Sequence, residues 1–149
     1  MMRIALSADH AGYQLKDLLA DWLREEGHDI LDLGTNGPES VDYPEYGARL
    51  ARAIADGQAE RGITVCGSSI GIAIAANRNS ACRCAQVAEP LSATLARSHN
   101  DANAIALGAR LIGIDMAKAC VTAFLTTDFA GGRHQRRVDQ LTHMNEVPA

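Results

Sequence analysis

The feature that most constrains this chain is a repeated exchange between two hydrophobic periods. Short aliphatic and β-branched runs alternate with longer segments whose apolar residues recur every three or four positions. Arg3–Ala8 reads as a first strand. Leu15, Leu18, Leu19, Trp22 and Leu23 then share a helical face, and Gly27 stops that helix. His28–Leu33 is a second strand closed by Gly34, and 36–42, with Gly37 and Pro38, is a loop. The pattern continues with a helix over Pro44–Asp56, a strand over Gly62–Cys66 and a short helix over Ile70–Asn77. A strand over Arg83–Val87, a helix over Glu89–Ser98 and a short strand over Ala104–Leu107 follow. Helices over Met116–Thr126 and Gln135–Met144 complete the chain. Strands separated by amphipathic helices imply an α/β fold, with a parallel sheet covered on both faces. Right-handed crossovers make it an open, doubly wound sheet of five strands. Such sheets bind ligands beyond the carboxyl ends of their strands. That rule singles out Asp9-His10, the loop after Cys66, and Glu89.

With 149 residues the chain makes one domain, 1–149, and residues 143–149 are expected to fray. Aromatic residues are only 4% of the composition, so Ala, Ile, Leu and Val must fill the core. A formal net charge of -4 argues against general nucleic-acid binding, and any anion site must come from a local cluster. No apolar run approaches the roughly 18–20 residues of a membrane-spanning helix. The first residues lack the apolar core of a signal peptide, so a cytoplasmic protein with no membrane partner is expected. The cysteines are Cys66, Cys82, Cys84 and Cys120. None forms a CxxC pair and C-R-C lacks zinc-ribbon spacing, so no metal site is expected. Cys82, Cys84 and Cys120 read as buried packing residues without disulfides.

The segment V-C-G-S-S-I-G-I-A-I-A-A-N carries most of the chemistry. A strand, a Gly-flanked turn over Gly67–Gly71 and a helix start make an anion cradle or simply a tight turn. It is neither the Walker pattern nor G-x-G-x-x-G. Cys66 stands just before the helix start, where a thiol gains thiolate character and serves as nucleophile or general base. Asp9 and His10 meet an anion or a sugar hydroxyl, or else Asp9 caps the next helix beside an exposed His10. His99 and Asn100, in S-H-N-D-A-N, are an acid/base pair of residues or an ordinary helix ending. Arg133 and Arg137, in G-G-R-H-Q-R-R, share a face if that turn is helical and suit a phosphate clamp. Their alternative is a solvated patch, which opposes the helix dipole unless an anion compensates.

Taken together, these groups supply a thiol base, amide donors for an oxyanion, a histidine and a phosphate clamp. Those are the requirements of an aldose–ketose isomerase acting on a phosphorylated sugar. A proton must leave the carbon beside a carbonyl, donors must hold the enediolate, and the phosphate contributes remote binding energy.

The chain resembles the type B ribose-5-phosphate isomerases over nearly its whole length. The matching motifs are S-A-D-H-A-G at 7–12, D-Y-P at 42–44, the Cys66 segment, S-H-N-D-A-N at 98–103, L-G-A-R at 107–110 and G-G-R-H-Q-R-R-V at 131–138. The resemblance implies a Rossmann-like three-layer αβα sandwich. It implies a homodimer or homotetramer with active sites at subunit interfaces, and interconversion of ribose 5-phosphate and ribulose 5-phosphate with no cofactor. By the same resemblance Cys66 is the base and His99 opens the furanose ring. The 67–71 backbone, Gly67 through Ser69, Ile70 and Gly71, cradles the enediolate beside the Ser68 hydroxyl. Asp9, Tyr43 and Asn100 hold sugar oxygens, and His10, Arg110, Arg133 and Arg137 hold phosphate, some from a partner subunit. Ser68 replaces a common Thr. Ser69 replaces a common Gly, and positive φ there would strain it by about 1 kcal/mol or more. Relatives that use a carboxylate base further along the loop find no counterpart in I-G-I-A-I. Two alternatives keep the site but change the outcome. One is a 6-phosphohexose isomerase, like the similar galactose-6-phosphate isomerase subunits; the other is a non-catalytic phosphosugar-binding module.

Overall fold

The computed structural model describes residues 1–144. Five strands, β1 (Arg3–Ala8), β2 (Asp29–Asp32), β3 (Arg61–Cys66), β4 (Cys84–Gln86) and β5 (Ala104–Gly108), form one sheet in the order β2-β1-β3-β5-β4. Every pairing is parallel. Six helices accompany them: α1 (Tyr13–Glu25), α2 (Tyr43–Ala55), α3 (Ile70–Ala76), α4 (Pro90–Asn100), α5 (Ile114–Thr126) and α6 (Arg133–Thr142). The expected five-stranded αβα sandwich is the observed architecture. No helix of the described residues is long and apolar enough to cross a membrane.

The two faces of the sheet differ in side-chain size. Ile4, Leu6, Ile63, Val65, Ile105 and Leu107 point to one side, against α1, α4 and α5. Their strand neighbours Ala5, Cys66, Ala104 and Ala106 point to the other, against α2 and α3. Alternation follows from the strand period of two. The small side lets its helices approach closely. A Cβ on Gly62 would lie 2.9 Å from Leu50 Cδ2 of α2, and one on Gly47 would lie 2.8 Å from the Ile72 carbonyl oxygen of α3. Ser7 and Thr64, buried on this small face, bond to each other at 2.8 Å, and Ser7 Oγ also donates to the Tyr46 carbonyl. Their hydroxyls are thereby satisfied inside the core.

Several boundaries differ from the sequence reading. Helix α2 begins at Tyr43, with Pro44 in its first turn where a missing N–H costs nothing. Helix α4 runs on to Asn100, so His99 and Asn100 are its last residues, and Asp101 ends it at φ 46°. Helix α5 starts at Ile114, two residues early, and α6 covers Arg133–Thr142 rather than Gln135–Met144. Of the expected frayed tail, only His143 and Met144 are described; 145–149 lie outside the described residues.

The chain reverses direction across the sheet between β1 and β3, and the loops after these two strands pack on each other. The Asp9 N–H donates to the Val65 carbonyl at 3.2 Å. A Cβ on Gly12 would fall 2.4 Å from that same carbonyl oxygen. Only glycine fits without moving backbone. Gly12→Ala is therefore expected to lower the unfolding free energy by about 1–3 kcal/mol, read from urea denaturation.

Candidate active site

The loops at the carboxyl ends of β1, β3 and β5 and the start of α2 converge on the reversal point, where open α/β sheets bind ligands. Cys66 is the last residue of β3 and is 5% exposed. The N–H groups of Gly67, Ser68, Ser69 and Gly71 donate to no acceptor among the described residues. Only Ile70 is engaged there, donating to Ser68 Oγ at 3.3 Å. Unpaired amides clustered at a helix start hold an oxyanion well. Arg110 follows β5 and lies over this turn. Its amide donates to the Gly67 carbonyl at 3.0 Å, and its guanidinium would sit 3.3 Å from a Gly67 Cβ. The Tyr43 ring presses on the other side, 2.4 Å from where a Gly71 Cβ would be. Gly71 is thus required by close approach rather than by turn geometry, while a methyl group at Gly67 would only press on the flexible end of Arg110.

Ser69 carries the strain expected of it, at φ 68° and ψ -17°. It is buried, and its hydroxyl donates to the Ser68 carbonyl. The side chain is turned back onto its own backbone and does not cap α3.

Asp9 orders the turn that leads into α1, whose own N-cap, Gly12, supplies no side-chain cap. Oδ1 accepts from the amides of Ala11, at 2.9 Å, and Gly12, at 3.1 Å. Oδ2 bonds to no described residue. The His10 ring is fixed by the 36–42 loop. Its Nδ1 lies 3.1 Å from the Val41 amide nitrogen and 3.2 Å from the Val41 carbonyl oxygen, which fixes the ring and leaves Nε2 outside that contact. The buried Lys16 was not singled out by the sequence, because a lysine on a helix is usually solvated. It bonds Asp32 at 2.7 Å and Asn36 at 2.9 Å, securing the corner that leads into the same loop. Glu89, flagged only by its position, caps α4. The Ser92 hydroxyl and amide hold its carboxyl below the usual range.

The remaining candidates lie at the other end of the sheet. Helix α4 runs antiparallel to the strands, so its last residues sit at their amino ends. Asn103, three residues after Asn100, accepts from Gly62 at the start of β3. Four strand steps, roughly 13 Å, separate that level from Cys66. The exposed His99 stacks on His134 of α6, with ring centroids 4.5 Å apart and planes 15° from parallel. The Ala130 amide donates to the Ser98 carbonyl at 2.9 Å, joining the same two elements. Arg133 and Arg137 share α6 with His134, make no ion pair with described residues, and have no acidic residue in the first turn beside them. Burial, His99 and the two arginines push His134 below the ordinary histidine value. One chain therefore assembles Asp9, His10, Tyr43, Cys66, 67–71 and Arg110, and separately His99, Asn100, Arg133 and Arg137. It does not join the two sets. His134 lies within the basic motif, but no local spacing marks it, since its partner is distant in sequence.

Cys82, Cys84 and Cys120 are buried, free thiols, as expected. Burial raises all three, Cys82 to about 12. Among the described residues no three His, Cys, Asp or Glu are placed to hold a metal ion.

Fold and loops together define a doubly wound α/β protein with a cluster of unpaired amides at its reversal point and a thiol beside it. A family model described as ribose/galactose isomerase matches residues 4–141, and the chain belongs to that family. It is 42% identical to ribose-5-phosphate isomerase B of Escherichia coli, covering 98% of both chains. It is 39% identical to a D-erythrulose-4-phosphate isomerase of Pectobacterium atrosepticum, covering 95% of this chain and 93% of that one. The solved ribose-5-phosphate isomerase B of Clostridium thermocellum superposes with a TM-score of 0.95 at 43% identity, covering 97% of this chain and 98% of that one.

The left-handed Ser69 is testable. Ser69→Gly is expected to keep or raise stability, because relief of about 1 kcal/mol of strain meets glycine's entropy cost. Ser69→Val should lower it by about 2 kcal/mol, since a β-branched residue fits that φ worst. Urea midpoints of the three proteins decide the order.

Proposed function

We propose that this protein interconverts ribose 5-phosphate and ribulose 5-phosphate, with Cys66 as the base. The observation that carries the reading is the Cys66 thiol at the end of β3 beside four unpaired backbone amides. His99 gives a proton to the ring oxygen as the C1–O4 bond breaks, and the O1 hydroxyl releases its proton to water. Cys66, as thiolate, takes the C2 hydrogen and returns it to C1, while the hydroxyl proton of O2 passes to O1. Negative charge that builds on the enediolate oxygens meets the amides of 67–71 and the Ser68 hydroxyl. Asp9 Oδ2, Tyr43 and Asn100 hold the sugar hydroxyls. His10 Nε2, Arg110, Arg133 and Arg137 hold the phosphate, whose binding energy orients the reacting carbons.

The working unit is a dimer, or a tetramer of such dimers. His99 and Cys66 lie at opposite ends of one sheet, so a complete site takes them from different subunits. A two-fold axis perpendicular to the strands sets the amino end of one sheet beside the carboxyl end of the other. The exposed Ile70 and Ile74 of α3, next to the edge strand β4 and a groove of about 470 Å³, supply apolar surface for that contact.

A second reading keeps the chemistry and changes the sugar, to a 6-phosphohexose or a shorter phosphosugar. Ser69, a side chain at a turn where a glycine would leave bare backbone, is the observation that favours it. Rates over a panel of four-, five- and six-carbon sugar phosphates separate the two. A module that only binds phosphosugars would exchange no substrate hydrogen with deuterated solvent.

Cys66→Ala is expected to cut turnover at least about 100-fold with ligand binding retained. A variant that keeps most of its turnover refutes the base. Iodoacetamide should inactivate the wild type through Cys66, with ribose 5-phosphate protecting it. The shared site makes a sharper forecast. Cys66→Ala and His99→Asn homodimers are each inactive, yet unfolding and refolding them together should restore roughly a quarter of wild-type activity. No restoration would mean that each chain builds its own site.

A further inference from the structure

The His99–His134 stack is left unexplained by the mechanism above. His99 is exposed at the last turn of a helix, where an imidazole ordinarily turns freely about its side-chain bonds. A second ring lies flat against it at 4.5 Å, on an element joined to the same helix end through the Ala130–Ser98 hydrogen bond. Parallel rings cannot hydrogen-bond to each other, so the contact leaves both His99 nitrogens open at its edge. The stack thus confines the ring plane of His99 without using its proton-carrying atoms. Burial, His99, Arg133 and Arg137 hold His134 below the usual histidine value, which disfavours its charged form.

We propose that His134 is a positioning residue for ring opening: its imidazole, packed face to face on His99, holds that ring at the angle needed to reach the furanose oxygen. The proposal rests on the isomerase reading and assigns His134 no proton of its own. It also separates His134 from its neighbours Arg133 and Arg137, which act on the phosphate.

The test compares two reactions of the intact oligomer. Conversion of ribose 5-phosphate needs the ring to open. Exchange of the C1 hydrogen of ribulose 5-phosphate with deuterated solvent does not, because that ketose has no free 5-hydroxyl with which to close a furanose. His134→Ala is expected to slow ribose 5-phosphate conversion about tenfold while leaving C1 exchange within about twofold of wild type. His134→Phe, which keeps a flat ring but has no nitrogen, should restore conversion. His134→Asn serves in place of the alanine variant should that one not fold. Equal loss of both reactions, loss of neither, or failure of Phe to rescue would overturn the proposal. His99→Asn run alongside must show the same selective loss. If it slows exchange as much as conversion, the ring-opening role of His99 is wrong, and His134 falls with it.

Discussion

Everything in this structure depends on the unequal faces of its central strands. Large aliphatic residues on one side of β1, β3 and β5 build a thick core with α1, α4 and α5. Small residues on the other side draw α2 and α3 close, with glycines wherever a methyl group would collide. Cys66 belongs to the small face, at the end of β3. Its position is therefore set by the same packing that sets the helices. A larger residue in this row would push α3 outward and carry the 67–71 turn with it.

The site follows from where the loops are anchored. Asp9 uses one carboxylate oxygen to order its own turn, and the other bonds to no described residue. His10 is held through Nδ1 by a loop whose near end Lys16 secures, and its other nitrogen lies outside that contact. Arg110 and Tyr43 close on the two sides of the amide turn, over glycines that keep the approach open. These arrangements gather donors at the reversal point, and under the proposed mechanism such fixed donors lower reorganisation during reaction.

Much of this was legible in the chain. Strand and helix periods are local properties, and they yielded five strands, six helices and the carboxyl-end loops. The strain at Ser69 was also foreseeable, because a position suited to glycine asks for positive φ. Helix ends were less accurate. The periodicity stops one residue short of Tyr43 and two short of Asn100, because caps depend on a single turn of backbone. Lys16 and His134 went unnoticed for another reason. Their partners are 16 and 35 residues away in sequence, and no periodicity reports such contacts.

By itself the sequence determined the alternation of elements, the residue types able to move protons and hold phosphate, and the motifs that mark the family. These are encoded in short stretches whose chemistry does not depend on distant neighbours. Only the tertiary structure decided which of those residues meet. Parallel strands force each connecting helix to run backwards, so Cys66 and His99 finish at opposite ends of one sheet although both had been read as parts of one site. That separation is topological, and it follows from the parallel order of the strands rather than from any local stretch of sequence.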